Sequence, residues 1–174
     1  LSWNCGLTVV SKKSDVSGLD IVAADLIAEL RRSQRTLSTA ESVTGGLIGS
    51  TITRIPGASS VYRGGIIAYS MDAKVNILCV PQGVCAGGLV TEEVAVQMAI
   101  GAYKVMGADL AVSCTGVAGP DWDHSGPSPV APGTIWLAVA SELVTTTKLL
   151  NLSGSRNEMR LATAHQALLM LSQN

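Results

Sequence analysis

The chain has 174 residues, a length suited to one domain with a substantial core. Apolar residues make up 47% and charged residues 14%, which excludes a disordered chain. An aromatic content of 3% with no Phe excludes a base-stacking surface for single-stranded nucleic acid, and a net charge of −1 leaves no basic footprint for DNA or RNA.

The chain begins at Leu1, and residues 1–18 read as a loosely tied extension ahead of a single domain over 19–174. From Leu19, apolar residues at Val22, Ala23, Leu26, Ile27 and Leu30 recur at helical spacing, and Arg31, Arg32 and Arg35 suit the helix C-terminus. Thr36 to Ala40 reads as a short strand, Leu47 to Ile55 as a helix stopped by Pro56-Gly57, and Gly65 to Ser70 as a second strand. Ser70 can cap a helix running to about Cys79. Thr91 is an N-cap followed by Glu92 and Glu93, predicting a helix to about Val105, and Asp109 to Cys114 is a continuous apolar strand. Residues 121–132 form a Pro/Gly/Ser-rich loop. Gly133 to Ala140 and Val144 to Leu152 then read as a strand pair, and Ser155-Arg156-Asn157-Glu158 is a capping box opening a helix to about Leu171. Strands apolar on both faces alternate with helices. This predicts an α/β fold: one three-layer α/β/α sandwich with a mostly parallel sheet and one antiparallel strand pair near the C-terminus.

No signal-peptide pattern opens the chain and no apolar run reaches about 18 residues, so a cytoplasmic protein without a membrane partner is expected. Cys5, Cys79, Cys85 and Cys114 form no CxxC pair, and only His124 and His165 could complete a metal site. The reading is reduced, partly buried thiols and no metal, with a Cys79–Cys85 bridge or a zinc site as alternatives.

Ligands of open α/β sheets bind beyond the carboxyl ends of the strands. Loops 41–46, 70–74, 115–120 and 153–156 are expected there, and the Ser59 turn must fold back to join them. Ser42-Val43-Thr44-Gly45-Gly46 places hydroxyls and glycines ahead of a helix, which suits either a capped helix start or a cradle for a phosphate or carboxylate. Thr115-Gly116-Val117-Ala118-Gly119-Pro120 has no side chain longer than Val, and so makes either a tight turn or a loop that a ligand approaches closely. Lys74 and Arg156 fall in first turns of helices, where the helix dipole disfavours cations; together they point to an anion site. A Ser-His-Asp triad has little support, because His124 lies in the Pro-rich loop and His165 mid-helix. The remaining neutral-pH route to an activated hydroxyl is a Ser-Lys pair, for which Ser59 and Lys74, with Tyr69 between them, are candidates.

Six segments together resemble one family, the CinA C-terminal domain or nicotinamide-nucleotide amidase (NMN deamidase). They are Ala40–Gly46, Pro56-Gly57-Ala58-Ser59-Ser60, Tyr69–Lys74, Thr115–Pro120, Pro132-Gly133-Thr134 and Gly154-Ser155-Arg156. The resemblance implies hydrolysis of the carboxamide of nicotinamide mononucleotide to nicotinate mononucleotide and ammonia, with neither metal nor cofactor. It implies Ser59 as nucleophile, Lys74 as its base, Tyr69 as a hydrogen-bonding partner at the reacting centre, and Ser42, Thr115 and Arg156 as substrate-holding residues. Thr44, Gly45, Gly46 and Gly116 are the substrate-binding candidates added by the two glycine-rich loops. Val43 stands where the family often has Cys, and the loop 121–132 is longer and richer in Pro than usual, fitting a lid or a subunit contact. Many CinA proteins also carry a larger N-terminal domain that these motifs do not cover. A homo-oligomer, dimer or higher, is expected. The competing readings are a non-catalytic pyridine-nucleotide-binding module and a CinA-type oligomeric scaffold; the missing basic patch argues against direct DNA contact.

Overall fold

The computed structural model describes residues 8–9 and 16–174. In chain order the elements are β1 (Thr8–Val9), α1 (Val16–Arg32), β2 (Leu37–Glu41), α2 (Leu47–Thr53), β3 (Tyr62–Ile67), α3 (Met71–Asn76), α4 (Gln82–Ala86), α5 (Glu92–Met106), β4 (Leu110–Gly116), β5 (Thr134–Ser141), β6 (Thr145–Asn151) and α6 (Arg156–Leu171). The strands form one sheet in the order β1-β6-β5-β4-β2-β3. Helices α1, α2 and α6 pack together on one face, over a core that includes Leu26, Leu37, Ile48, Val112, Leu137 and Leu168. Helix α5 covers the other face, where Met98 and Ala102 meet Leu78, Val80 and Ala111. The three-layer sandwich expected from the alternation of elements is present.

The pairing is more mixed than expected. β2 pairs in parallel with β3 and β4, and β1 with β6, but β5 is antiparallel to both β4 and β6. There are therefore two antiparallel pairs, not one. The chain returns from β4 to β5 without a crossover helix, and only such a crossover can set consecutive neighbours parallel. In the sequence the long loop 121–132 hides that β4 and β5 are neighbours.

Three boundaries differ. β3 starts at Tyr62, ahead of the expected Gly65, so that Gly64-Gly65 lies within the edge strand. A side chain at Gly65 would collide with the Thr39 hydroxyl and the Tyr62 phenol of the adjoining structure, so the glycine marks a close approach. The helix capped by Ser70 stops at Asn76, and a short unforeseen helix, α4, follows Pro81. Within the segment read as an extension, Thr8 and Val9 pair with β6 and α1 begins at Val16.

α5 sits unusually close to the chain that follows α3. A Cβ at Gly101 would overlap the Leu78 carbonyl, and the missing side chain lets this segment lie deep against the sheet. Gly101→Ala must push backbone against backbone. It is expected to cost about 1–3 kcal/mol, read as a lower denaturant midpoint at unchanged m-value.

Candidate functional site

The site is built where β2, β3 and β4 end. β2 is buried along its whole length, and its last residue leads directly into Ser42, whose N–H donates to the Cys114 carbonyl of β4. β3 continues to Ala68, whose N–H donates to the Glu41 carbonyl. Two residues later Ser70 caps α3, its hydroxyl accepting from the Ala73 N–H at 3.1 Å. That cap starts the helix abruptly and turns Lys74 back toward the strand ends. Its amine donates to the Ala68 carbonyl at 2.7 Å and lies 3.0 Å from the Ser42 hydroxyl.

Lys74 is only 1% exposed, and no described carboxylate forms an ion pair with it. Burial disfavours the ammonium and lowers its pKa from the ordinary lysine value; Cys85, Cys114 and Asp123 offset this in part. A neutral amine keeps N–H groups for the Ala68 carbonyl and a lone pair for the Ser42 hydroxyl proton. The pair has the components of an activated nucleophile.

Around this pair lies an open cavity of about 260 Å³. Ser42, Tyr69, Lys74, Thr115, Gly116 and Arg156 all line it, so loops 41–46, 70–74, 115–120 and 153–156 do meet at the strand ends. Thr115 donates its hydroxyl to the Leu89 carbonyl at 2.7 Å. Arg156 opens α6 beside the capping box of Ser155 and Glu158, and its guanidinium donates to the Gly119 carbonyl and the Tyr69 hydroxyl, both at 2.9 Å. Its cation faces the cavity instead of a carboxylate.

Ser59 does not join them. It is exposed in a 3-10 turn, Ala58–Ser60, at the amino end of β3, whereas Lys74 follows the carboxyl end. The six residues of β3 intervene, a span of roughly 20 Å at about 3.3 Å per residue. Ser59 borders a separate surface hollow with Arg54, Pro56 and Tyr62. The expected Ser59–Lys74 pair is therefore corrected: the hydroxyl beside the amine is that of Ser42, expected only to hold substrate.

Thr44, Gly45 and Gly46 also stand back from the cavity. The start of α2, which suits either a capped helix or a cradle for an anion, is filled by the chain's own Glu41. Its carboxylate accepts from the Thr44 hydroxyl at 2.7 Å, the Ile48 N–H at 3.0 Å and the Gly49 N–H at 2.8 Å. Gly45 and Gly46 take positive φ, 61° and 94°, to make this turn. Thr44 also contacts the Cys114 sulfur at 3.0 Å, and burial pushes that thiol up to about 11. Glu41 is the functional residue that sequence reasoning misses, although an acidic residue just ahead of a glycine-rich helix start is a legible signal for such a clamp. Asp121, Trp122 and Asp123 also line the cavity, and their place in an irregular loop gave no periodic signal.

Comparison with known proteins bears on the whole domain. The family model of the CinA C-terminal domain matches residues 19–174. The chain belongs to the CinA C-terminal domain family. A CinA-like protein of Geotalea uraniireducens is 42% identical over 155 residues, covering 88% of this chain and 36% of that protein. One of Kosmotoga olearia is 44% identical over 133 residues, covering 75% and 31%. The chain thus spans about a third of the length of these CinA-like relatives. Among solved structures, the competence/damage inducible protein CihA of Agrobacterium tumefaciens superposes with a TM-score of 0.82 at 34% identity, covering 90% of this chain and 94% of that one. A CinA superfamily protein of Escherichia coli gives 0.85 at 27% identity, covering 97% and 95%.

Among the described residues of this CinA domain no helix is long and apolar enough to cross a membrane, and no group of three or more His, Cys, Asp or Glu side chains is placed to hold a metal ion. Cys79, Cys85 and Cys114 are free thiols, Cys79 exposed and the others buried; Cys5 lies outside the described residues.

Two outcomes follow from these contacts. Glu41→Gln keeps the shape but loses the charge that gathers three donors, and is expected to cost about 2 kcal/mol of stability in chemical denaturation. Lys74 binds its proton less tightly when folded than when unfolded, so the unfolded state holds more protons in between. The stability of the wild type relative to Lys74→Met should therefore rise with pH from the depressed folded value up to the ordinary value of about 10.4, by at most about 1.4 kcal/mol per pH unit. Parallel unfolding curves across the alkaline range read this difference.

Proposed function

We propose that this domain is an amidohydrolase that deamidates nicotinamide mononucleotide to nicotinate mononucleotide and ammonia, with Ser42 as nucleophile and Lys74 as its base. The observation that carries the proposal is the dry Lys74 amine 3.0 Å from a hydroxyl on the cavity wall. A solvated lysine is protonated at neutral pH and cannot accept a proton; one deprived of water can. The substrate follows from the CinA resemblance, and the cavity is compatible with it. Arg156 offers a cation for the phosphate, and the small residues Gly116, Ala118 and Gly119 admit a ligand close to the main chain.

In the proposed cycle the Ser42 hydroxyl gives its proton to Lys74 as the oxygen attacks the carboxamide carbon. The main-chain N–H groups of Ala118 and Gly119 receive the oxyanion, since the Val117 N–H already donates to the Thr134 carbonyl. The tetrahedral adduct collapses as Lys74 returns the proton to the leaving nitrogen, releasing ammonia and leaving an ester on Ser42. Water, one proton taken by Lys74, then attacks the ester; Lys74 returns that proton to the departing Ser42 oxygen, and the acid formed gives its own proton to solvent to become nicotinate. Tyr69 acts from the rim, accepting from Arg156 and holding that guanidinium over the cavity.

The deciding experiment is ammonia release from nicotinamide mononucleotide in the presence of a chelator. Ser42→Ala and Lys74→Met should each lower kcat by at least about a thousandfold, while Ser59→Ala should stay within about twofold of wild type. Loss of turnover in Ser59→Ala with retention in Ser42→Ala would remove the proposed pair.

A further inference from the structure

Aromatic side chains are scarce in this chain, and three of the described ones, Tyr62, Tyr103 and Trp136, pack against the cores. Of the described aromatics only Tyr69 and Trp122 are strongly exposed, at 60% and 54%, and both line the same cavity. Trp122 stands between two carboxylates, Asp121 and Asp123, that line it as well. The loop presenting them is anchored on both sides. Asp123 exchanges main-chain hydrogen bonds with Val130, its carboxylate accepts from the Ser125 hydroxyl, and the Ser125 oxygen accepts from the Leu89 N–H at 2.8 Å. The indole is thus held out to solvent by an ordered turn. The cavity also carries Arg156, with no carboxylate paired to it among the described residues. Its wall thus combines an exposed indole, two carboxylates and one guanidinium.

We propose that Trp122, flanked by Asp121 and Asp123, forms the subsite for a flat, positively charged heteroaromatic ring, so that the cavity selects ligands cationic at the ring and anionic at the far end. A ring of this kind gains from the electron-rich indole face and from nearby carboxylates; a neutral ring gains only the stacking. The inference rests on the amidase reading for its ligand, since the pyridinium and phosphate of nicotinamide mononucleotide are such a pair. It goes further in naming the residues that choose the charge state of the ring. The reduced mononucleotide, with the same carboxamide and phosphate on an uncharged dihydropyridine, should be a poor ligand. Asp121 is the charge to remove, because Asp123 also acts on Lys74.

The test compares wild type with Trp122→Leu, Trp122→Phe and Asp121→Asn, using the oxidised and reduced mononucleotides. Trp122→Leu should raise KM for the oxidised form about tenfold with kcat within about twofold, and Trp122→Phe should recover most of the loss. Asp121→Asn should raise KM for the oxidised form about threefold while leaving the reduced form unchanged. Equal KM values in wild type and Trp122→Leu, or no preference for the charged ring, overturn the inference. If the wild type releases no ammonia, the amidase reading fails on its own. Tryptophan fluorescence then decides the subsite: saturable quenching by the oxidised mononucleotide that disappears in Trp122→Leu supports it, and quenching unchanged by that substitution rejects it.

Discussion

The amine of Lys74 is kept out of water at the end of the sheet with a carbonyl and a hydroxyl as its hydrogen-bond partners, and the rest of the site is arranged around that contact. An ammonium without a counter-charge is costly to bury, and its cheapest escape is to lose the proton. Several features make the burial possible. Ser70 starts α3 at the residue that swings Lys74 inward, Gly101 lets the chain after α3 press close to α5, and Ala68 supplies a carbonyl at the strand end. None of these lines the cavity. Each sets the position or the dryness of the amine.

Ser42 is held by a different device. Its neighbour Glu41 points back under the loop and gathers a hydroxyl and two main-chain N–H groups at the start of α2. This is the anion-binding property of a helix N-terminus, satisfied from within. The consequence is a rigid turn in which Ser42 emerges at the cavity while Thr44 is buried beneath it. Positive charge for a ligand comes instead from Arg156, whose hydrogen bonds go to neutral oxygens and which forms no ion pair among the described residues. The cavity wall thus carries a guanidinium together with the carboxylates of Asp121 and Asp123, and such a mixed lining favours a ligand that itself carries both signs.

Longer relatives, of which the matched region is about a third, contain the same domain, and crystallised homologues of nearly its own size share the fold. The arrangement around Lys74 is a property of the domain's own strand ends, and every side chain of the proposed reaction lies within the matched residues 19–174.

Much of the fold was legible because it rests on local rules. Apolar spacing marked α1, α5 and α6, the Thr91 and Ser155 caps marked helix starts, and unbroken apolar runs marked β4 and β5. The convergence of four loops was legible too, since strand ends of a wound sheet gather on one side. The partner of Lys74 was not. Ser59 and Ser42 both stand in turns that carry glycines, and their distance along the chain from Lys74 favours Ser59. Only the sheet order separates them: a parallel strand carries the chain from one end of the sheet to the other, so the serine nearer in sequence finishes at the far edge. β2 and β3 are neighbours in register, which brings the residue after β2 beside the helix after β3. By itself the sequence determined the family, the layers and the lysine; the hydroxyl that meets its amine was decided by which strands lie side by side.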